Sequence, residues 1–189
     1  MRTDRICFAS LALAALACSK SEAGPPVTPS AHGRFVGRVV AAWEDDGRTM
    51  KLEEPFDYVD PNGRLWSAPE GSSIDGASIP QVFWTSIGSP FTGPYRRASV
   101  VHDVACDERT APWQDVHRMF YHACVCGGTD PKRAKLLFAA VYHFGPRWGD
   151  SPAVTAAVRS APADFAALEN FVETSDPSLE QIEGYFASR

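Results

Sequence analysis

The hydrophobic rhythm of the chain changes about halfway along. The segments "RFVGRVVAAWE" (34–44), "RTMKLEEPFDYV" (48–59) and "RLWSA" (64–68) are rich in Val, Phe, Tyr and Trp, and the turn sequences "DDG" (45–47) and "PNG" (61–63) separate them. Aromatic and β-branched runs bounded by Gly, Asn and Pro favour strands joined by tight turns, so a small antiparallel meander of three strands is expected. The stretch "SSIDGASIPQVFWTSIGSPFTGP" (72–94) lacks that rhythm and reads as a long loop. Within it a short helix is expected to begin near Ser78, with Pro80 in its first turn and Gly88 at its end.

The second half carries a helical period. At about 100° per residue, Ala98, Val101, Val104 and Ala105 form one apolar stripe, and Trp113, Val116, Met119, Phe120 and Ala123 form another. The link between them, about Asp107 to Ala111, is short, which predicts antiparallel neighbours. Pairing about a midpoint near residue 109 brings His102 level with positions 115 to 117. A third helix has Asp130 as its cap, Pro131 at its first position, a stripe of Leu136, Leu137, Ala140, Val141 and Phe144, and Gly145 and Pro146 as stop signals. Two further helical stretches follow at about 163–174 and 177–187. The expected fold class is therefore α+β: a meander, a long loop and a bundle of three or more helices, in one domain over 34–150 with a C-terminal helical extension over 151–189.

Composition and charge narrow the partners. With 189 residues, 44% of them hydrophobic, the chain suits one ordinary domain plus appendages. A net charge of -5, with the basic residues scattered, offers no footprint for nucleic acid. The first 23 residues, "MRTDRICFASLALAALACSKSEA", have the anatomy of a secretory signal: two arginines, a short apolar run from Ile6 to Ala17, then small residues. "ALAC" resembles a bacterial lipobox, which makes Cys18 a lipidation site and places the protein on the periplasmic side of the cell envelope, anchored to a membrane. Cleavage after "SEA" (21–23) makes it secreted or periplasmic instead. The Pro-rich stretch 24–33 reads as a tether. Three cysteines then remain in the domain, Cys106, Cys124 and Cys126, an odd number with no zinc-knuckle spacing, and they read as small, partly buried thiols. In the paired-helix arrangement Cys106 and Cys124 lie roughly 15 Å apart, beyond disulfide reach.

The candidate chemistry centres on His102 and Asp103. A carboxylate on one ring nitrogen fixes the tautomer of a histidine and raises its basicity, so His102 oriented by Asp115 reads as a base acting on water. Asp103 points about 100° away from His102, toward a loop, as an oxygen ligand to a hard cation such as calcium does. Asp75 and Ser78 in "DGASIP" (75–80) form the supporting loop. Each residue also has a purely structural reading: Asp115 favours the dipole of its own helix, His102 sits at a core edge, Asp103 is solvated and Asp75 caps neighbouring amides. His117, His122 and His143 read as helix-surface positions.

The motifs "PEGSSIDGASIPQVFW", "GSPFTGPYRRASVVHD", "DVHRMFYHA" and "LLFAAVYHFG" together resemble the bacterial and phage domain-of-unknown-function family 1353, over about Phe35 to Trp148. That resemblance implies a fold but no agreed activity. The chain departs from the family pattern at Cys106, where a small or aromatic residue is usual, and at Gln114, where Ala is usual. More distantly, "A-x-x-x-H-D-x-x-C" in Ala98 to Cys106, followed by an Asp on the next helix, is similar to the catalytic helices of secreted phospholipase A2 enzymes. This similarity implies that His102 activates water, Asp103 binds calcium and Asp115 orients His102. The Gly-rich calcium loop and the disulfide framework of those enzymes are not recognisable here, and the interval from the His-Asp pair to Asp115 is short. Three functions follow as expectations: an envelope hydrolase acting on a lipid or other ester through His102 and Asp115, with a cation at Asp103; a serine hydrolase with Ser78 as nucleophile; and a non-catalytic envelope module whose His-Asp pair locks helix to loop. A metal phosphohydrolase of the H...HD...D kind is disfavoured, because the upstream His32 falls in the tether.

Overall fold

The computed structural model describes residues 30–76, 92–149 and 162–186. The strands are β1 (Arg34–Val36), β2 (Ala41–Trp43), β3 (Met50–Leu52), β4 (Phe56–Val59), β5 (Leu65–Ala68) and β6 (Ser73–Ile74). They form two antiparallel sheets of three strands each, ordered β1-β4-β5 and β2-β3-β6. The α+β class stands, but the single meander is replaced by two sheets. Gly37 sits at φ 87° and Pro55, which has no N–H to give to a ladder, lies between β3 and β4. Each of the two long strand-like segments therefore breaks, and its halves join different sheets. In β4 and β5 the alternation is clean: Phe56, Tyr58, Trp66 and Ala68 are buried and face the helices, and Leu65 and Ser67 are exposed.

The helices are α1 (Arg96–Glu108), α2 (Trp113–Cys126), α3 (Pro131–Phe144), α4 (Pro162–Ser175) and α5 (Leu179–Glu183). Arg109 takes the left-handed conformation at φ 54° and its N–H bonds the Ala105 carbonyl, which ends α1 and turns the chain back within four residues. The α1 and α2 helices are antiparallel neighbours, as the short link requires. The predicted start of α3 is also found: the Asp130 carboxylate accepts from the amides of Lys132 and Arg133, with Pro131 in the first turn. Ala134, Leu136 through Val141, His143 and Phe144 of α3 are all buried, so this helix is apolar nearly all round and forms the centre of the bundle.

The C-terminal helices cover the bundle. Phe165, Leu168 and Val172 of α4 are buried at helical spacing, and α4 packs on α3. Ser178 and Gln181 form a capping box at the start of α5, and Ile182 and Tyr185 close over α3. Arg118 of α2 holds this cover by ion pairs to Glu180 and Glu183. At the other end, residues 30–33, read as part of a tether, pack on the domain: Gly33 is buried and the Tyr58 hydroxyl donates to the His32 carbonyl at 2.6 Å. No helix among the described residues is long and apolar enough to cross a membrane.

Candidate functional site

The facing surfaces of α1 and α2 bury three side chains with lone pairs. His102 Nε2 lies 2.9 Å from His117 Nδ1, and Cys106 Sγ lies 3.7 Å from His102 Nε2 and 4.0 Å from its Nδ1. His102 and His117 are fully buried and Cys106 is 5% exposed. The antiparallel pairing that makes His102 level with 115–117 thus brings it to His117. Cys106 joins because it lies one helical turn beyond His102.

The proton positions follow from one carbonyl. His117 Nε2 is 3.0 Å from the Pro146 oxygen, which can only accept, so Nε2 carries the proton and Nδ1 of the neutral ring carries a lone pair. His102 must then donate from Nε2 to His117 Nδ1, which leaves the lone pair of His102 on Nδ1. Both rings are held neutral. Burial pushes His102 well below its ordinary value, and His117 adds to that shift. Burial also takes His117 down to about 3, against the pull of the Pro146 carbonyl.

Asp103 performs a different task. Its side chain is buried, and Oδ2 accepts the Gly76 amide at 2.9 Å, fastening α1 to the end of β6 and to the start of the "DGASIP" loop. The expectation that Asp103 reaches toward a loop rather than toward His102's partner agrees with this geometry. Asp75 is half-exposed and lies 3.8 Å from Arg48, with Asp107 near enough that burial and the Asp75 charge hold the Asp107 carboxyl above its usual range. Ser78 and Cys18 lie outside the described residues.

Asp115 does not join His102. Its side chain is 51% exposed and pairs with Arg64 at 3.7 Å, so the carboxylate expected to orient His102 is replaced in that position by the imidazole of His117. At about 100° per residue the two flank the apolar stripe on opposite sides, His117 about 40° beyond Trp113 and Asp115 about 40° beyond Met119, and the packing of α2 turns the His117 edge toward α1. His117 is buried and is not a surface position, and the helical period alone does not distinguish it from Asp115. His143 is likewise buried, with Nε2 donating to the Ile182 carbonyl at 2.7 Å. His122 is half-buried and pairs with His32 through their Nδ1 atoms at 3.1 Å. His32 therefore belongs to the folded domain, but at His122 and not beside His102 and Asp103. Cys106, Cys124 and Cys126 form no disulfide.

A cavity of about 450 Å³ opens on the sheet side of α1, lined by Val39, Trp43, Met50 and Ile74 with Arg38, Arg96 and Arg97 at its edge. Its Ser99 wall is one turn before Asp103, and its Ile74 wall is two residues before the Gly76 amide that Asp103 holds.

Fold and site define an α+β domain in which two antiparallel helices bury a His-Cys-His cluster and an Asp clasps the adjoining loop. Residues 50–141 match the model of the family described as "Protein of unknown function (DUF1353)", so the resemblance carried by the motifs is shown for this stretch. The chain is 46% identical over 104 residues to "Uncharacterized protein y4iH" and 40% identical over 116 residues to "Uncharacterized protein y4jT", both of Sinorhizobium fredii (strain NBRC 101917 / NGR234). These matches take in 55% and 61% of this chain and only 44% and 34% of the relatives, so the chain spans less than half the length of the curated relatives it matches. No solved structure matches the chain.

Proposed function

We propose that the domain is a hydrolase of the cell envelope in which Nδ1 of His102 takes the proton of an attacking water, acting on a lipid or other ester. The observation that carries this reading is the chain of bonds from the Pro146 carbonyl through His117 to His102, which leaves a lone pair on Nδ1 of the neutral His102 ring. A fixed tautomer is what a general base requires, and His117 supplies it in place of a carboxylate. The substrate class is supported by the cavity on the sheet side of α1, whose Ser99 wall is one turn before Asp103 and whose apolar wall and three arginines suit an amphiphile with an acidic head group. The envelope location rests on the leader and on Cys18, whose lipidation anchors the domain to the membrane.

A second reading is favoured by burial. His102 is 0% exposed, and Asp103 is engaged with the Gly76 amide, which is also what a non-catalytic module needs to lock helix to loop. Incubating the purified protein with phospholipids, lipopolysaccharide and peptidoglycan, with and without calcium, separates the two. The hydrolase reading expects product from one substrate and a loss of at least about a hundredfold in His102→Asn, the low end of what a positioned base contributes. His117→Asn should fall with it while circular dichroism stays native. A calcium requirement lost in Asp103→Asn assigns a cation to that residue, and inactivity of Ser78→Ala with no calcium effect moves the nucleophile to Ser78. Absence of product from every substrate leaves the binding module.

A further inference from the structure

We infer that His102 Nε2, His117 Nδ1 and Cys106 Sγ form a binding site for a borderline-soft transition ion of the Zn²⁺ class, independently of whether the chain turns over a substrate. The three donor atoms come from two facing helices and all lie within 4.8 Å of one another. Zinc bound at about 2.05 Å to nitrogen and 2.3 Å to sulfur in a tetrahedron sets its nitrogens about 3.3 Å apart and nitrogen from sulfur about 3.6 Å. The observed 3.7 Å from Cys106 Sγ to His102 Nε2 fits that spacing, and the 2.9 Å between the ring nitrogens has to open by only a few tenths of an ångström.

The surroundings of His117 match those of a ligand. Its Nε2–H is held by the Pro146 carbonyl, and a metal-binding imidazole is typically oriented in this way, with the other nitrogen presenting its lone pair inward. Trp148 steadies the same loop by donating from Nε1 to the Ala111 carbonyl at 2.8 Å, in the link between α1 and α2. Two imidazoles and a thiolate select zinc, cobalt or copper over calcium and magnesium, which take oxygen ligands. On binding, the Cys106 thiol releases its proton to solvent, and the proton that His102 shares with His117 moves to Nδ1 of His102, so that both Nε2 of His102 and Nδ1 of His117 donate to the metal. That shift removes the lone pair on which hydrolysis by His102 depends. Where both proposals hold, the zinc form is therefore inactive and a chelator restores turnover.

Zinc and cobalt binding to the reduced, full-length protein test the site without any substrate. X-ray absorption of the zinc form should give one sulfur at about 2.3 Å and at least two imidazole nitrogens at about 2.0 Å. The cobalt form should show a thiolate-to-metal charge-transfer band and the strong visible bands of tetrahedral coordination. Cys106→Ser should abolish the charge-transfer band and weaken zinc by no less than the 10- to 100-fold that loss of an outer-shell partner costs, roughly speaking. Cys126→Ser and His122→Gln should leave both unchanged. A zinc shell without sulfur, a charge-transfer band that survives in Cys106→Ser, or no binding by the reduced wild type overturns the inference. The absorption measurement needs no variant, so a poorly folding substitution leaves the question decided.

Discussion

Helix α2 takes part in two imidazole pairs made from the same residue types, and only one of them converges on a common point. His117 meets His102 at 2.9 Å, and a little over one turn further along His122 meets His32 at 3.1 Å. Each pair has a cysteine four residues beyond one of its histidines, Cys106 after His102 and Cys126 after His122. Cys106 turns its sulfur toward the rings. The Cys126 thiol donates instead to the Gly33 carbonyl at 3.4 Å. The first cluster is sealed between helices, whereas His32, His122 and Cys126 are each partly exposed. Equal composition therefore gives unequal chemistry: three donors meet in a dry interface in the first cluster, whereas in the second the thiol takes a backbone partner of its own and leaves the imidazole pair without a third donor.

Truncation should separate the two clusters energetically. His102→Ala removes a fully buried ring that lies 4.5 Å from Phe120 and orphans the acceptor of His117, so it should cost about 3–5 kcal/mol in chemical denaturation. His122→Ala, at a half-buried position, should cost about 1 kcal/mol. Equal costs would mean that the buried cluster has no energetic distinction.

A third buried imidazole, His143, stands outside both pairs. Burial holds His143 down at about 4 against the pull of the Ile182 carbonyl. Above pH 6.5 it is neutral in both folded and unfolded chains and contributes no pH dependence. Below that, the unfolded chain takes a proton that the folded chain refuses until about pH 4, so stability falls as pH falls, by about 3 kcal/mol across that window. Denaturation at pH 7 and pH 4.5 should show the drop, and His143→Gln should reduce it. An unchanged drop would place the acid sensitivity elsewhere.

The smallest effect belongs to the carboxylate outside both clusters. Asp115→Asn loosens only the half-exposed contact with Arg64 and should change stability by less than about 0.5 kcal/mol. Its turnover of any envelope substrate should equal that of the wild type. A large loss of activity would return Asp115 to the site and displace His117 as the group that orients His102.

Much of the fold is legible in the order of residues alone. Asp130 followed by Pro131 announces the start of α3, and the run from Leu136 to Phe144 announces its burial. The strand segments are visible as apolar stretches, but not their division at Gly37 and Pro55 between two sheets, because sheet membership depends on which distant strand offers a partner. The motifs likewise identify the family that matches residues 50–141. The cluster is half legible: Cys106 follows His102 by one turn, but no cysteine spacing along the chain points to His117.

Local pattern along the chain accounts for the helices at 96–108, 113–126 and 131–144, for the Asp130 cap, for the antiparallel order of α1 and α2 and, through the short link, for the level at which His102 meets α2. These are consequences of local periodicity and of a connection too short to allow another arrangement. Long-range packing selects His117 over Asp115 as the neighbour of His102, brings the Pro146 carbonyl from 29 residues away to fix the proton, and sets the Asp103 carboxylate on the Gly76 amide. Those contacts depend on the rotation of α2 about its own axis, which is set by packing against α3 and the loop that follows it. A pattern read along one helix names a face, and its neighbours choose what that face touches.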